Sequence, residues 1–186
     1  MPDTQEDEAA VLVLFGATAT HGDVLLIQRP SHMRAHAGQP AFPGGRVEPG
    51  EDAVAAALRE ASEEVGLDSA SVTVVATLPQ LWLPPSRFKV TPVLAWWREP
   101  HPLQANPEEV VAFHRVPISE FTQPSNRLRV TTRSGFVGPA FRVRNMLVWG
   151  FTGGVLARLL DLAGWSRPWD DSEVLPIPES AQEPPA

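Results

Sequence analysis

The sequence has no cysteine, no tyrosine and a single lysine, and it lacks any long uncharged apolar run. Without cysteine, disulfide bonds and thiolate metal sites are excluded, and a reducing cytoplasm is compatible with the chain. No stretch is apolar for the roughly 18 residues that a transmembrane helix needs. The acidic start, MPDTQEDEAA, lacks the basic region and apolar stretch of a secretory signal. We therefore expect a cytoplasmic protein that is not attached to a membrane.

Charge is unevenly distributed along the chain. The formal net charge is −7, and seven acidic residues fall between Glu48 and Asp68. All basic residues except Lys89 are arginines, which suit bidentate contacts to phosphate. A surface for duplex nucleic acid would need a basic stripe, and the sequence shows none. The local acidity therefore favours a metal site over a nucleic-acid partner.

The apolar pattern predicts an α/β fold, in which a mixed β-sheet is sandwiched between α-helices. We expect a flexible N-terminus over residues 1–9, one folded domain over 10–164, and a loosely attached tail rich in proline and acid over 165–186. Strands are predicted over 10–18, 24–28, 71–78, 87–97 and 109–116, a helical turn over 117–121, and a hairpin over 128–144. Helices are predicted over 51–65 and 146–162, and a loop over 80–86. Gly66 is the predicted C-cap of the first helix, and Pro92 predicts an edge strand or a bulge.

Three glutamates crowd together on the first predicted helix. At 100° per residue, Glu60, Glu63 and Glu64 share one face of about a third of the circumference. Apolar residues line up on another face, at Val54, Leu58, Ala61 and Val65. Like charges one turn apart destabilise a helix by a few tenths of a kcal/mol per pair. The crowding therefore indicates a bound cation, and the alternative is a solvated acidic face.

The spacing of this stretch resembles the signature of a known superfamily. It runs Gly45, five residues, Glu51, seven residues, Arg59-Glu60-Ala61, one residue, Glu63-Glu64, one residue, Gly66-Leu67. That is similar to the Nudix box, G-x5-E-x7-R-E-U-x-E-E-x-G-U (U apolar), at every fixed position. A chance match is on the order of one in a billion per starting position.

The resemblance implies a Nudix fold and roles for the box residues. Glu60 and Glu64 would bind one Mg²⁺ or Mn²⁺ ion, and Glu63 a second ion or a metal-bound water. Arg59 would orient a carboxylate, and Glu51 would support the loop and the start of the helix. The implied reaction is hydrolysis of a nucleoside diphosphate linked to another group, in which water attacks one phosphorus.

The general base varies within this superfamily. Glu63 or Glu60 is the candidate here, and a glutamate from a later loop, Glu108 or Glu109, is the alternative.

The stretch just upstream of the box resembles the signature of the coenzyme A pyrophosphatases of this superfamily, roughly L-L-T-x-R-[S/A]-x3-R-x3-G-x3-F-P-G-G. The matching residues are Leu25, Leu26, Arg29, Arg34, Gly38 and Phe42–Gly45. Two positions depart from it, Ile27 in place of threonine and Pro30 in place of serine or alanine, and proline fixes the local φ. Weaker similarity continues downstream, so the resemblance covers roughly residues 10–164.

Coenzyme A carries a 3′-phosphate beside its diphosphate, so its site needs extra cationic donors. Arg29 and Arg34 are the candidates for that role. Gly44, Gly45 and Phe42 complete the expected substrate-binding set, although core packing is favoured for Phe42 over adenine stacking.

Two other functions remain open at this point. One is the same chemistry on ADP-ribose or a nucleotide sugar, which Pro84 and Pro85 downstream of the box weakly favour. The other is a Nudix-fold module that senses a nucleotide without cleaving it, although such modules usually lose box carboxylates. The lack of tyrosine weighs modestly against relatives that hydrolyse diadenosine polyphosphates. A homodimer is compatible with the sequence, but the sequence pattern does not specify an interface.

Overall fold

The computed structural model describes residues 7–19, 21–30, 38–83 and 88–178. In these ranges the chain forms two β-sheets and three α-helices. The larger sheet consists of β1 (Asp7–Ala17), β2 (Gly22–Gln28), β3 (Pro40–Ala41), β4 (Gly44–Arg46), β5 (Val72–Thr77), β6 (Leu81–Leu83), β7 (Phe88–Trp97) and β8 (Ala112–Pro117). The smaller sheet consists of β9 (Arg127–Thr131), β10 (Val137–Val143), β11 (Met146–Val148) and β12 (Val174–Pro176). The helices are α1 (Ala53–Val65), α2 (Ile118–Thr122) and α3 (Gly150–Leu162).

Strand β1 is the centre of the larger sheet. It pairs in parallel with β7 and antiparallel with β2 and β4, so the sheet is mixed. Successive side chains of a strand point to opposite faces. Accordingly, Leu12 and Leu14 pack in the core cluster that includes α1, whereas Val13 packs in the cluster that includes α3. The predicted α/β arrangement, with a mixed sheet between helices, is confirmed.

Helix α1 has a defined cap at each end. The Asp52 side chain accepts a hydrogen bond of 2.8 Å from the Ala55 N–H, so the helix begins at Ala53 and not at Glu51 as predicted. Gly66 has a φ of 67° and donates its N–H to the last turn, which confirms it as the C-cap. No helix in the described part of the chain is long and apolar enough to cross a membrane.

Part of the C-terminal segment joins the fold through one strand and one buried side chain, whereas we expected a loosely attached tail. Strand β12 pairs in parallel with β9. The side chain that follows it, Ile177, is only 2% exposed and packs with Leu128 and Val130. A short apolar run inside a segment rich in proline and acid is enough to complete a sheet, which composition alone does not reveal. At the other end, β1 begins at Asp7, so residues 7–9 belong to the sheet and not to a flexible terminus.

Pro92 lies in a central strand, not at an edge or a bulge as predicted. Strand β7 runs between β1 and β5. The Pro92 carbonyl accepts a hydrogen bond from Leu78 N at 2.9 Å. In a β-strand the backbone nitrogen and the carbonyl of one residue point to the same side of the strand. On that side, β5 ends opposite Val93 and β6 begins opposite Val90. The missing N–H therefore falls where β7 changes partner.

Two further elements differ from the sequence prediction. Leu81–Leu83 forms β6 within the predicted loop, because it pairs with β7. The predicted start of the second helix, Met146–Val148, is β11. Arg144 and Asn145 both have positive φ, as a two-residue type I′ hairpin turn requires, so β10 and β11 form a tight hairpin before α3.

Candidate active site

Two glycines bring β4 against β1 and α1 at close range. A Cβ at Gly44 would collide with the Ala10 carbonyl oxygen and would lie 2.7 Å from Val11 Cα. A Cβ at Gly45 would collide with the Glu60 carboxylate. The glycines therefore let the strand backbone approach the acidic face of the helix, where any side chain would hold it away.

Glu64 is the most buried carboxylate of the helix. It is 4% exposed, and its Oε2 accepts from Gly44 N at 3.0 Å. Arg29 Nη2 lies 3.8 Å from Glu64 Oε1 and donates to the Gly44 carbonyl at 3.1 Å. Burial raises the pKa of Glu64 to about 8, while Arg29 and the Gly44 N–H act in the opposite direction. Glu64 is therefore poorly solvated, and a nearby cation would stabilise its charged form.

Arg59 lies between the other carboxylates of the box. Its Nε and Nη2 each donate to Glu51 at 3.0 Å. Its Nη1 donates to Glu60 Oε1 at 3.0 Å and to Glu63 Oε2 at 3.2 Å. Glu51 in turn accepts from Glu48 N at 3.0 Å, and the Arg59 hydrogen bond is the main cause that lowers the pKa of Glu51. These contacts link the loop before the helix to its acidic face.

Glu60 and Glu63 differ in their exposure to solvent. The Glu60 side chain is 17% exposed and the Glu63 side chain 50% exposed. Burial is the largest single cause and raises the pKa of Glu60; Arg59 lowers it, and the charges of Glu63 and Glu109 raise it. The surroundings of Glu60 therefore favour its protonated form relative to a free carboxylate.

The loop that carries Glu109 joins this cluster. Asn106 donates its backbone N–H to the Glu64 carbonyl at 2.8 Å and its side-chain amide to Glu109 Oε1 at 3.3 Å. The Glu109 charge raises the pKa of both Glu60 and Glu64. We predicted that a strand begins at Glu109, but a turn at Asn106 delays the strand until Ala112. The asparagine-proline pair before Glu108 was the signal for this turn.

The donor chemistry of the cluster fits a hard divalent cation. In the described part of the chain, no three acidic or histidine side chains are close enough to form a complete metal centre. Glu60, Glu64 and Glu109 nevertheless act on one another electrostatically, and all offer oxygen donors. Mg²⁺ commonly takes one or two carboxylates and completes its shell with water and substrate phosphate. Such an ion would offset the mutual repulsion of these carboxylates.

The expected substrate-binding residues have different surroundings. Phe42 is 1% exposed and packs in the core cluster beside α3, the role that we favoured for it over adenine stacking. Burial of this large apolar side chain contributes to the stability of the folded protein. Gly44 and Gly45 border the carboxylates, as described above. Arg29 contacts Gly44 and Glu64, and Arg34 lies outside the described residues.

The close approach at Gly44 predicts a large loss of stability on substitution. Gly44→Ala should lower the free energy of unfolding by about 1–3 kcal/mol, because the added Cβ collides with backbone that cannot move aside. Gly154→Ala is the matched control, since nothing lies within 4 Å of a Cβ added there. Gly154 lies inside α3, so that change should raise the free energy of unfolding by about 0.5–1 kcal/mol. Urea denaturation measures both, and wild-type stability of Gly44→Ala would contradict the clash.

Comparison with protein families and curated sequences gives consistent matches. The model of the NUDIX domain matches residues 6–134. "Nudix hydrolase 3" of Caenorhabditis elegans is 32% identical over 176 residues, which cover 83% of this chain and 73% of the relative. The "Uncharacterized Nudix hydrolase NudL" of Escherichia coli K12 is 36% identical over 160 residues, with 82% and 80% covered.

Solved structures resemble the chain in fold. A Nudix hydrolase from M. smegmatis, RenU, superposes with a TM-score of 0.63 at 20% identity, over 89% of this chain and 90% of that one. The C. elegans Ap4A hydrolase binary complex has a TM-score of 0.51 at 26% identity, over 60% and 80%. From the box geometry, the family model and these relatives together, the chain belongs to the Nudix hydrolase superfamily and is a pyrophosphohydrolase that acts on phosphoanhydride bonds.

Proposed function

We propose that this hydrolase cleaves the diphosphate of coenzyme A or of its derivatives. The products would be 3′,5′-ADP and 4′-phosphopantetheine, or the corresponding acyl form. The observation that carries this proposal is the contact of Arg29 with both Gly44 and Glu64. Arg29 belongs to the upstream signature of the coenzyme A pyrophosphatases, whereas Glu64 belongs to the Nudix box. The two signatures are thus parts of one site, which favours a substrate that fits both.

Hydrolases of this superfamily use divalent metal ions, and we propose Mg²⁺ or Mn²⁺ here. When bound, such an ion neutralises the diphosphate and polarises it towards attack. Glu64 and Glu60 would hold the ion, with Glu63 at a second position. Arg59 would keep the carboxylates of Glu60 and Glu63 in place through its hydrogen bonds.

A carboxylate must take the proton of the attacking water. We prefer Glu60, because burial raises its pKa and a higher proton affinity favours a general base; the more strongly shifted Glu64 is assigned to the ion alone. Glu63 and Glu109 are the alternatives, since both lie close enough to influence the pKa of Glu60.

The substrate proposal is tested by direct competition of substrates. The purified protein would be incubated with Mg²⁺ or Mn²⁺ and with coenzyme A, ADP-ribose or NADH, and the products separated by chromatography. We expect the largest kcat/KM for coenzyme A or one of its derivatives. A higher kcat/KM for ADP-ribose than for coenzyme A would overturn the proposal. Pro84 and Pro85, which weakly favour ADP-ribose, lie outside the described residues. Tight binding without turnover would instead indicate a nucleotide sensor.

The two arginines of the upstream signature should respond differently to mutation. Arg34→Gln should reduce kcat/KM for coenzyme A more than for 3′-dephospho-coenzyme A, because it would remove a donor to the 3′-phosphate. Arg29→Gln should reduce both alike, because Arg29 also holds Gly44 and Glu64. Steady-state kinetics on the two substrates measures this, with Arg158→Gln on the exposed side of α3 as control. Equal losses for Arg34→Gln would remove it from 3′-phosphate recognition.

A further inference from the structure

A cavity of about 640 Å³ lies outside the active site, between the smaller sheet and the segment that follows α3. Its walls come from β9, β10, the C-terminal half of α3 and residues 166–171. None of its lining residues belongs to α1 or β4. The cavity is largely open to solvent, and its volume falls in the range of small-molecule sites.

Arg127 lines this cavity and is nearly buried, with 8% of its surface exposed. Its guanidinium lies 4.9 Å from the centre of the Trp169 ring and 5.4 Å from that of Phe141. Its Nη1 donates to the Ser166 hydroxyl at 3.1 Å. No carboxylate in the described part of the chain is within ion-pairing distance of this guanidinium. Burial lowers the pKa of Arg127, and the charge of Asp161 acts in the opposite direction. A buried guanidinium with a neutral acceptor favours an additional anionic partner.

Two more guanidinium groups line the same cavity. Arg129 follows Arg127 by two positions on β9, so the two side chains share a face of the sheet, and its Nη1 is 3.4 Å from the Asp171 carbonyl oxygen. Arg167 is exposed and has no partner among the residues that the structure describes. The cavity is thus lined by three guanidinium groups and by two carboxylates, those of Asp161 and Asp171.

The neighbouring carboxylates do not neutralise this excess of positive charge. Asp161 accepts a hydrogen bond from Ser166, and its charge raises the pKa of Arg127 without an ion pair between the two side chains. The net charge of the whole chain is −7, which makes a locally positive cavity a departure from the rest of the molecule. The geometry of guanidinium matches phosphate oxygens in bidentate hydrogen bonds.

From this arrangement we infer that the cavity binds a phosphate monoester, with the phosphate held by Arg129, Arg167 and the cavity side of Arg127. Trp169 provides an aromatic wall beside the guanidinium groups. A phosphorylated ligand with a planar ring would use that wall by stacking, in addition to the phosphate contacts. The site is separate from the carboxylates of α1 and requires no metal ion.

Calorimetric titration of the full chain tests this inference, with EDTA present so that metal-bridged phosphate binding at α1 is removed. AMP and inorganic phosphate are the probes, because neither contains a phosphoanhydride bond. We expect saturable AMP binding that weakens by about tenfold or more in Arg167→Gln and in Arg129→Gln, since each loses a charged hydrogen bond. Arg158→Gln is the matched control, because Arg158 is an exposed arginine of α3 that does not line the cavity.

The phosphate arm separates the two sources of affinity. If AMP binds more tightly than phosphate and Trp169→Leu removes that difference, the adenine ring stacks on the aromatic wall. Equal binding of both probes would assign the affinity to the arginines alone, and both results support the site. An absence of saturable binding at millimolar AMP would overturn the inference, as would unchanged affinity in both arginine variants. Because Arg167 is exposed, its variant keeps the test valid even if Arg129→Gln does not fold.

Discussion

Glu64→Gln should reduce kcat/KM by about a thousandfold while the protein stays folded, because a charged metal ligand contributes several kcal/mol to stabilising the transition state. The amide can still accept the hydrogen bond from Gly44 N that Glu64 accepts at 3.0 Å. The negative charge is lost, however, and with it the attraction for a divalent ion. Steady-state kinetics over a range of Mg²⁺ concentrations measures the loss. Glu173→Gln, an exposed glutamate outside the site, is the control, and unchanged activity of Glu64→Gln would exclude it as a ligand.

The stability of the same variant separates a catalytic loss from unfolding. The pKa of Glu64 is raised from 4.5 to about 8 by burial. Between these pH values the folded protein keeps a proton that the unfolded chain has released, so the metal-free wild type loses stability as the pH rises. Glu64→Gln has no such group. Its advantage in the free energy of unfolding should grow across this interval to the order of a few kcal/mol. Urea denaturation with a chelator measures it, and a variant less stable than wild type at pH 8 would contradict the assignment.

Arg59→Met should lower kcat/KM by about a hundredfold, the usual cost of losing a group that orients metal ligands. It should also move the acid limb of the pH profile to higher pH. Arg59 lowers the pKa of Glu60, which burial raises, so removal of the guanidinium lets that pKa rise further. Glu60 would then stay protonated over a wider range of pH.

The pH profile distinguishes this electrostatic role from a merely structural one. Loss of folded protein would lower kcat/KM at every pH and leave the position of the limb unchanged. Arg158→Met, at an exposed arginine of α3, should alter neither quantity. An acid limb in Arg59→Met at the wild-type position would show that Arg59 does not control the ionisation of Glu60.

The box and the strands around it were predictable because their signals are local. The spacing of the glutamates follows the turn of one helix, and β1 and β2 contain continuous, strongly apolar runs. The cap at Gly66 is likewise a local feature with a known backbone requirement. For such elements a pattern of neighbouring residues already determines the structure.

Other parts depend on contacts between distant segments, which no local pattern records. The bond from Gly44 to Glu64 requires β4 to lie on α1, and the position of Glu109 depends on how Asn106 binds the end of that helix. Pro92 could be placed only once the three partners of β7, namely β1, β5 and β6, were known. Phe42, which stands in the upstream signature, is a core residue because of the side of the sheet that it faces.

Strand β12 has a consequence for the synthesis of the protein. Val174 pairs with Arg129, so β12 covers the edge of β9. This strand can be added only when almost the whole described chain has been made. A nascent chain that ends at Leu162 can contain the larger sheet and all three helices, yet β9 still has an unpaired edge. Exposed strand edges favour pairing with other chains, and incomplete chains are prone to aggregation. Translation that stalls before β12 should therefore yield a chain that contains the carboxylates of α1 but associates with its own copies.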